Sequence, residues 1–160
     1  MTSATKHKEY GFSLIELLIV VAIILIIAAI AIPNFMRARI QANEASAVTS
    51  MHAIATSEIG YSTAYPQIGF SNSLADLGPG GGGACTPTGA CFLDPALASG
   101  SKSGYLFNYV PDGATPSVAY TVNANPQSYG FTGQTSYFAD QTNTIRYNPT
   151  GVAGPTDPSL

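Results

Sequence analysis

The stretch that decides the fold is FSLIELLIVVAIILIIAAIAI, residues 12–32. Its 21 residues contain one charged side chain, that of Glu16. As an α-helix the stretch would be about 31 Å long at about 1.5 Å per residue, which matches the hydrocarbon core of a bilayer. Because it is apolar on every side, it needs lipid or complete burial around it. We therefore expect a membrane-spanning helix here.

The helix is expected to continue beyond this stretch. Pro33 lacks the N–H of a regular helical residue and favours a kink. In residues 35–60 apolar side chains recur at spacings of three and four, which predicts one buried face. The charged Glu44 falls on the other, solvated side, and Gly60 is expected to end the helix. The apolar positions are Ile40, Ala47, Val48, Met51, Ile54, Ala55 and Ile59.

The remaining residues, 61–160, are rich in Gly, Pro, Ser, Thr, Asn and Tyr. Few periodic signals occur in residues 61–104, which we interpret as a loop region. Alternating apolar positions after it indicate antiparallel strands, the first two joined by a turn at Pro111-Asp112-Gly113. The strand candidates are Tyr105–Val110, Val118–Asn123, Tyr137–Asp140 and Thr144–Tyr147. The predicted class is α+β, with a long kinked N-terminal helix packed on a small antiparallel sheet.

The two cysteines, Cys85 and Cys91, stand in one short segment. Their spacing is not that of a redox or zinc motif. If the apolar stretch exports the rest of the chain, both thiols meet an oxidising compartment. We predict a disulfide worth about 2 kcal/mol for so short a ring, with two free thiols as the alternative.

The apolar stretch has three interpretations that physics alone leaves open. It is a cleaved secretory signal, a permanent anchor, or an anchor that later becomes the core of a filament. Ala29-Ile30-Ala31 resembles a signal-peptidase site, and cleavage there would leave Ile32 as the first residue. A plain anchor would keep Met1. Against a signal, the uninterrupted apolar run is already at the upper length limit and Glu16 stands at its start.

Glu16 is the residue that distinguishes these interpretations best. A carboxylate in a membrane helix costs up to a few kcal/mol, so a partner is expected. Cleavage after Gly11 would create one, because Phe12 would then carry an α-amine four residues before Glu16. Within one chain or between staggered neighbours, that pair would neutralise both charges in an apolar core. The alternative is an incidental carboxylate held near the lipid headgroups.

The N-terminal segment resembles that of type IV pilins and of type II secretion pseudopilins, the class III prepilin segment. The resemblance covers residues 11 to about 40 and rests on a specific motif. That motif is Gly11-Phe12-Ser13-Leu14-Ile15-Glu16-Leu17, with the apolar run and Pro33 after it.

This resemblance implies a leader, residues 1–11, removed after Gly11 by a prepilin peptidase. It also implies N-methylation of Phe12 and a role for Glu16 in assembly. The further regions that it implies are a filament-core helix at residues 12–34, the amphipathic helix at 35–60 and a globular head at 61–160. The family fold is a long helix on an antiparallel sheet.

The resemblance implies a structural subunit of a type IV pilus-like filament. Its partners would be other pilin-like subunits, the prepilin peptidase and an inner-membrane assembly platform. The chain would cross the bacterial inner membrane once, with its head in the periplasm, before it joins a pilus. The first alternative is a pseudopilin of type II secretion, in a periplasmic pseudopilus. The second is a monomeric binding protein, either membrane-anchored or secreted.

Two departures from the family pattern bear on these alternatives. Many pilins carry a disulfide that pins a C-terminal loop, whereas Cys85 and Cys91 lie mid-chain. Major pseudopilins often have an Asp-Pro-Trp-Gly-like motif and a calcium site, whereas this chain has Asp94-Pro95-Ala96-Leu97 and no tryptophan. We therefore favour a pilus subunit over a pseudopilin.

No constellation of catalytic residues is visible, so an enzyme is not expected. His7 belongs to the implied leader, and His52 is interpreted as a packing or boundary residue. No cofactor is expected, although calcium is an alternative for turn aspartates. Only six Lys and Arg are present, which disfavours nucleic-acid binding. The aspartates at turn-like sites are Asp76, Asp94, Asp112, Asp140 and Asp157.

Overall fold

A computed structural model of the chain describes residues 12–80 and 84–160. The implied leader, with the cleavage position Gly11, lies outside the described residues. The helices are α1 (Leu14–Ala64), α2 (Leu74–Leu77) and α3 (Pro95–Ala98). The strands are β1 (Ser101–Lys102), β2 (Tyr105–Pro111), β3 (Tyr120–Pro126), β4 (Ser136–Asp140) and β5 (Arg146–Asn148). The predicted α+β class, a long N-terminal helix with an antiparallel sheet, is confirmed.

The chain divides into two compact units between Arg37 and Ala38. In the first unit α1 begins where the backbone N–H groups of Glu16 and Leu17 donate to the Ser13 carbonyl, at 3.1 and 3.2 Å. The helix continues through Pro33. Beside this proline the Asn34 side-chain amide donates to the Ile30 carbonyl at 3.0 Å, whereas the carbonyl that loses its helical N–H partner to the proline is that of Ala29.

The second unit is residues 38–160. From here on it is called the head, and it includes the second half of α1 as well as residues 61–160. Its core lies between α1 and one face of the sheet. The helical side of this core is formed by Ala47, Ser50, Met51, Ile54, Ala55, Ser57, Glu58 and Tyr61. The sheet side is formed by Tyr105, Phe107, Tyr120, Val122, Ala124, Tyr137 and Ala139. The predicted helical face is therefore largely confirmed. It is wrong at Ile59, which is exposed, and it missed Glu58 and Tyr61, which are buried.

The end of α1 corrects a second prediction. Gly60 does not end the helix, which continues to Ala64 and stops before Tyr65-Pro66. A residue that precedes proline avoids the helical region, and this explains the stop. Gly60 serves packing instead, because a Cβ added there would come within 3.3 Å of the Phe92 ring.

The five strands form an antiparallel sheet in the order β1-β2-β3-β4-β5. All four predicted strands are present, with shifted ends, and β1 was not predicted. The prediction placed Val118 in a strand, but β3 begins at Tyr120, opposite Pro111. The Asp112 carboxylate accepts the Val118 and Ala119 N–H groups at 3.0 and 3.1 Å, so it holds these residues in a loop.

The C-terminal tail, residues 149–160, packs on the sheet. Asn123 donates its side-chain amide to the Ala153 carbonyl at 2.7 Å, and the Ser136 hydroxyl donates to the Gly151 carbonyl. Further along, the Tyr147 N–H donates to the Pro158 carbonyl at 3.0 Å. The tail is thus held by hydrogen bonds, while the disulfide lies elsewhere in the head.

Candidate assembly site

The candidate site is the first unit, where Phe12 precedes the helix and Glu16 stands in its first turn. Phe12 is 76% exposed and Glu16 is exposed as well. Within residues 12–37 only Glu16 and Arg37 carry a charge. The helix thus places a carboxylate at one end of a long apolar surface.

That apolar surface is uncovered along its length. Almost every residue from Phe12 to Ile32 is exposed, and Ala28 alone is half-buried. An 18-residue window of the helix has a mean hydropathy of 3.3 and buries none of its residues. By length and composition the helix can cross a membrane. An apolar surface of this size has to be covered by lipid or by other chains.

The second predicted site, the pair Cys85 and Cys91, lies in the head and forms a disulfide. The Cα atoms are 5.6 Å apart, within the ordinary range for a disulfide. The ring that it closes is fixed to α1, because the Tyr61 hydroxyl donates to the Pro87 carbonyl at 2.7 Å. Next to the ring, Ser57 donates to the Phe92 carbonyl at 3.0 Å. The predicted disulfide is confirmed, and it joins a loop to the last turns of α1.

A buried carboxylate that the sequence did not reveal lies near the same end of α1. Glu58 is completely buried and accepts hydrogen bonds from the Ser71 N–H at 2.9 Å and the Ser71 hydroxyl at 2.5 Å. Burial raises the pKa of Glu58, and the two hydrogen bonds from Ser71 oppose this rise only in part. Tyr109 donates to the Ser71 carbonyl at 3.0 Å. Its own pKa is raised by burial and by the negative charge of Glu58. This cluster joins α1 to the loop after it and to β2.

Glu44 corrects the prediction of a solvated side chain. It is half-buried, and its Oε1 atom accepts the backbone N–H groups of Gln134 and Thr135 at 2.9 and 3.1 Å. A carboxylate that accepts two backbone donors fixes the segment that carries them. Glu44 therefore ties the start of the head's helix to the segment that leads into β4. His52, predicted to be a packing or boundary residue, is solvent-exposed on the same helix.

Most of the turn aspartates have local structural roles. Asp94 caps α3 by accepting the Leu97 N–H at 3.0 Å. It also pairs with Lys102 at 2.9 Å, and the hydrogen bond from Lys102 is the main cause that lowers the Asp94 pKa. Asp140 accepts the Thr142 N–H at 2.9 Å, and Asp157 accepts the Gly154 N–H at 2.9 Å. Among residues 12–80 and 84–160, no three His, Cys, Asp or Glu side chains converge as a metal site would require.

Comparison with known proteins adds a family match to this geometry. Residues 6–32 match the family model described as the prokaryotic N-terminal methylation motif. The chain is 46% identical over 56 residues to the type IV major pilin protein PilA of Myxococcus xanthus. It is 65% identical over 34 residues to the type IV wide pilus major component PilA4 of Thermus thermophilus. The comparison with solved structures gives no significant match.

These matches cover limited parts of the proteins concerned. The two alignments include 35% and 21% of this chain, and each includes 26% of its relative. The chain thus matches about a quarter of the length of these curated relatives. Within that range residues 6–32 match the N-terminal methylation motif, and the aligned stretches are similar to two type IV pilins. The arrangement of the long helix and the antiparallel sheet is pilin-like.

Proposed function

We propose that the chain is a structural subunit of a type IV pilus-like filament, held in the membrane by the first half of α1 and polymerised through it. The observation that carries this proposal is the uncovered apolar surface of residues 12–32, with Glu16 at its start. The match to the N-terminal methylation motif supports it. Type IV pilins are structural proteins, so no catalytic role is proposed.

Energetics favour insertion of this helix despite Glu16. Fifteen large apolar side chains between Phe12 and Ile32 are exposed. At about 1.5–3 kcal/mol for each side chain removed from water, their burial is worth some tens of kcal/mol. A carboxylate in the span costs roughly a few kcal/mol. The apolar term is about ten times larger, so Glu16 does not prevent insertion, and any purpose that it serves lies elsewhere.

That purpose, we propose, is to pair with the α-amine of Phe12. Removal of residues 1–11 by a prepilin peptidase would expose this amine, and N-methylation would follow at Phe12. In a filament the Glu16 carboxylate of one subunit would neutralise the amine of its neighbour and fix their register, since an unpaired buried charge is costly. Assembly would take place on an inner-membrane platform, with the head in the periplasm.

The mature N-terminus tests this proposal most directly. We expect mass spectrometry of the membrane-bound protein to find Phe12 as the first residue, with one added methyl group. Ile32 at the N-terminus would indicate a cleaved secretory signal, and an intact Met1 would indicate a plain anchor. Either result would overturn the proposal.

Substitution of Gly11 gives a second test of processing. A glycine before the cleaved bond lets the peptidase approach the backbone closely, so Gly11→Leu should leave the precursor uncut. Gly154→Leu, at a glycine where an added Cβ meets nothing within 4 Å, is the matched control and should be cut normally. Normal maturation of Gly11→Leu would contradict processing at this position.

A secretion pseudopilin is the alternative filament subunit. The two relatives are a major pilin and a wide pilus component, which favours the pilus. Electron microscopy of sheared surface material separates the two. Long surface filaments that contain this chain would support the pilus, and a chain confined to the periplasm would support the pseudopilus.

A further inference from the structure

The loop between β3 and β4, residues 127–134, is an ordered turn with the sequence QSYGFTGQ. The N–H groups of Phe131 and Thr132 both donate to the Ser128 carbonyl, at 3.2 and 2.9 Å. The Asn43 side-chain amide of α1 donates to the Thr132 carbonyl at 2.8 Å. The loop is therefore held in one shape by its own hydrogen bonds and by one from the helix of the head.

This loop presents two aromatic rings that the head does not cover. Phe131 is 65% exposed and Tyr129 is 47% exposed. Residues 127–134 contain no charged side chain, so a partner can cover both rings without removing a charge from water. A loop that is already ordered loses little conformational freedom on binding, which favours association. We call residues 127–134 with these two rings the aromatic knob.

The opposite end of β3 carries an open pocket of about 190 Å³. Its walls are mostly apolar and include Val110, Pro111, Ala119 and Tyr120, and Gln141 also lines it. A pocket of this volume lies below the range of about 300–1,000 Å³ that is usual for small-molecule sites, so it suits a single side chain of another protein. We call it the β2–β3 pocket, because the ends of these two strands form most of it.

Asp112 holds the pocket in shape. Its carboxylate accepts the N–H groups of Ala114, Val118 and Ala119, at 3.1, 3.0 and 3.1 Å. The Asp112 N–H donates in return to the Ala119 carbonyl at 3.1 Å, which closes the turn. Val110, one of the apolar walls, is 50% exposed. The pocket is therefore formed without a partner, and part of its apolar wall is in contact with water.

The knob and the pocket lie at opposite ends of one strand of the head. The seven residues of β3 separate them by about 20 Å, so the knob cannot enter the pocket of its own chain. Each surface is free to meet the other on a second copy. A contact between unlike surfaces, when repeated, produces an open helical series of copies unless the rotation between them closes a ring. The arrangement of the two surfaces therefore suits a filament.

The charges near the two ends are complementary as well. The pocket end carries Asp112 and Asp140, and the β2–β3 and β4–β5 turns contain no Lys or Arg. Near the knob Arg39 is exposed, one helical turn before the α1 residue that binds the loop. Glu44 is already engaged there, because it accepts two backbone N–H groups. A cation near the knob and carboxylates near the pocket favour the meeting of these two ends.

We propose that the aromatic knob of one head docks in the β2–β3 pocket of a second copy of this chain, with Phe131 as the side chain that enters the pocket. This rests on the proposed function, because a contact through so few side chains needs heads that polymerisation already holds at a high effective concentration. Burial of the Phe131 ring removes apolar surface from water and stabilises the contact. The contact joins the heads of neighbouring subunits in addition to the contacts made by residues 12–32.

Two introduced cysteines test this contact in filaments. Ser128→Cys lies in the knob and Gln141→Cys lies at the pocket, and both side chains are exposed. Neither change removes the Phe131 ring, and the native pair Cys85 and Cys91 is already bonded. Sheared filaments are treated with a bismaleimide too short to span one sheet, and denaturing gels separate the products. We expect a ladder of dimers, trimers and longer multimers from the double variant, and only monomers from either single variant.

Phe131→Ala in the double-cysteine background should lower the cross-linked fraction about fivefold or more, because it removes the ring that enters the pocket. Val152→Ala is the matched control, because Val152 is also 65% exposed but belongs to neither surface. The same two alanine variants without the cysteines give a second measurement, the amount of sheared filaments. Phe131→Ala should yield fewer filaments than Val152→Ala, and equal amounts would overturn the contact even if the cysteine pair itself impaired assembly.

The outcomes separate the two proposals. Filaments of the double variant that give no ladder, or a ladder equally strong with Phe131→Ala and Val152→Ala, overturn the contact and leave the filament subunit intact. Dimers as the end product of a single-cysteine variant mean that like surfaces meet, which also overturns the contact. If the wild-type chain forms no filaments, the proposed function fails, and the contact fails with it.

Discussion

The two halves of α1 share one helix but differ in what surrounds them. In the first half, residues 14–37, apolar side chains are exposed all round and the only acid is Glu16. In the second half, residues 38–64, one face is buried on the sheet and even Glu58 is enclosed. Ile24 is 58% exposed, whereas Ile54 is fully buried. The second half is covered by residues of its own chain, whereas the first half has to be covered by lipid or by other chains.

The largest expected effect comes from a substitution in the first half of α1 alone. Glu16→Ala removes the only acidic side chain of the apolar stretch, so insertion should become easier rather than harder. Under the proposed function it would also leave the Phe12 amine unpaired in a filament core, at a cost of several kcal/mol for each contact. We therefore expect a folded, membrane-bound protein with filaments lost or greatly reduced. Fractionation measures the membrane pool, and electron microscopy of sheared material measures the filaments.

Asp94→Ala is the matched control for this experiment. It also removes one carboxylate, but from an exposed ion pair with Lys102 and from the cap of α3, each worth about 1 kcal/mol within the head. Filaments should be retained in this variant. If Glu16→Ala forms filaments as abundantly as Asp94→Ala does, charge neutralisation by Glu16 is not the mechanism of assembly.

Two isoleucines in the same helix test whether the halves really differ in their surroundings. Ile54→Ala opens a cavity in the head core and should lower the free energy of unfolding of the head by about 2–5 kcal/mol. Ile24→Ala should leave it unchanged, because this side chain is exposed in the monomer. Urea unfolding of the detergent-solubilised full chain, followed by near-UV circular dichroism, measures both. A loss of similar size in both variants would remove the distinction between the halves.

The disulfide should have a smaller effect, restricted to the head. Replacing Cys85 and Cys91 together by serine opens the disulfide ring, whose Pro87 carbonyl accepts a hydrogen bond from the Tyr61 hydroxyl. In the chain-entropy model so short a ring is worth about 2 kcal/mol. The double variant should unfold at a lower urea concentration, and the wild-type chain reduced with dithiothreitol should match it. Membrane insertion should not change, since it depends on the other half of α1.

Sequence patterns predicted the features that depend on local chemistry. The apolar run and the alternation of Tyr105 and Phe107 each indicate a surface that must be buried, so the exposed apolar helix and the sheet could be predicted. The end of α1 was misplaced because Gly60 is a common helix stop. Its actual role, close packing with Phe92 more than 30 residues away, has no local signal. The stop at Tyr65-Pro66 could have been predicted from the proline.

The missed features depend on contacts between distant residues. A glutamate within a helix is ordinarily solvated, so nothing local predicts that Glu58 meets Ser71 in the core or that Glu44 accepts the N–H groups before β4. The candidate assembly site could be predicted from the sequence for the opposite reason. Its signal lies in one contiguous stretch, residues 11–17.

The last and smallest expected effect is a pH dependence of the head's stability, which arises from Glu58 in the second half of α1. Glu58 has a pKa raised by burial above the value near 4.5 that applies to an exposed glutamate, so the folded head holds its proton more tightly than the unfolded chain. The contribution of Glu58 to stability is therefore complete below about pH 4.5 and is lost as the pH rises through the folded-state pKa. Ser71 permits both forms, because its hydroxyl can donate to Glu58 or, at 3.1 Å, to the Ser73 carbonyl. A protonated Glu58 or a glutamine can then donate to the Ser71 oxygen.

We expect Glu58→Gln to fold and to lose less stability than the wild type between about pH 4 and about pH 8. Urea unfolding at several pH values measures the difference, and Glu44→Gln, which removes a charge of the same sign on the same helix, is the control. If Glu58→Gln and the wild type have the same pH dependence, Glu58 does not change its protonation on unfolding in this range. A parallel loss in Glu44→Gln would instead assign the pH dependence to the net charge of the head.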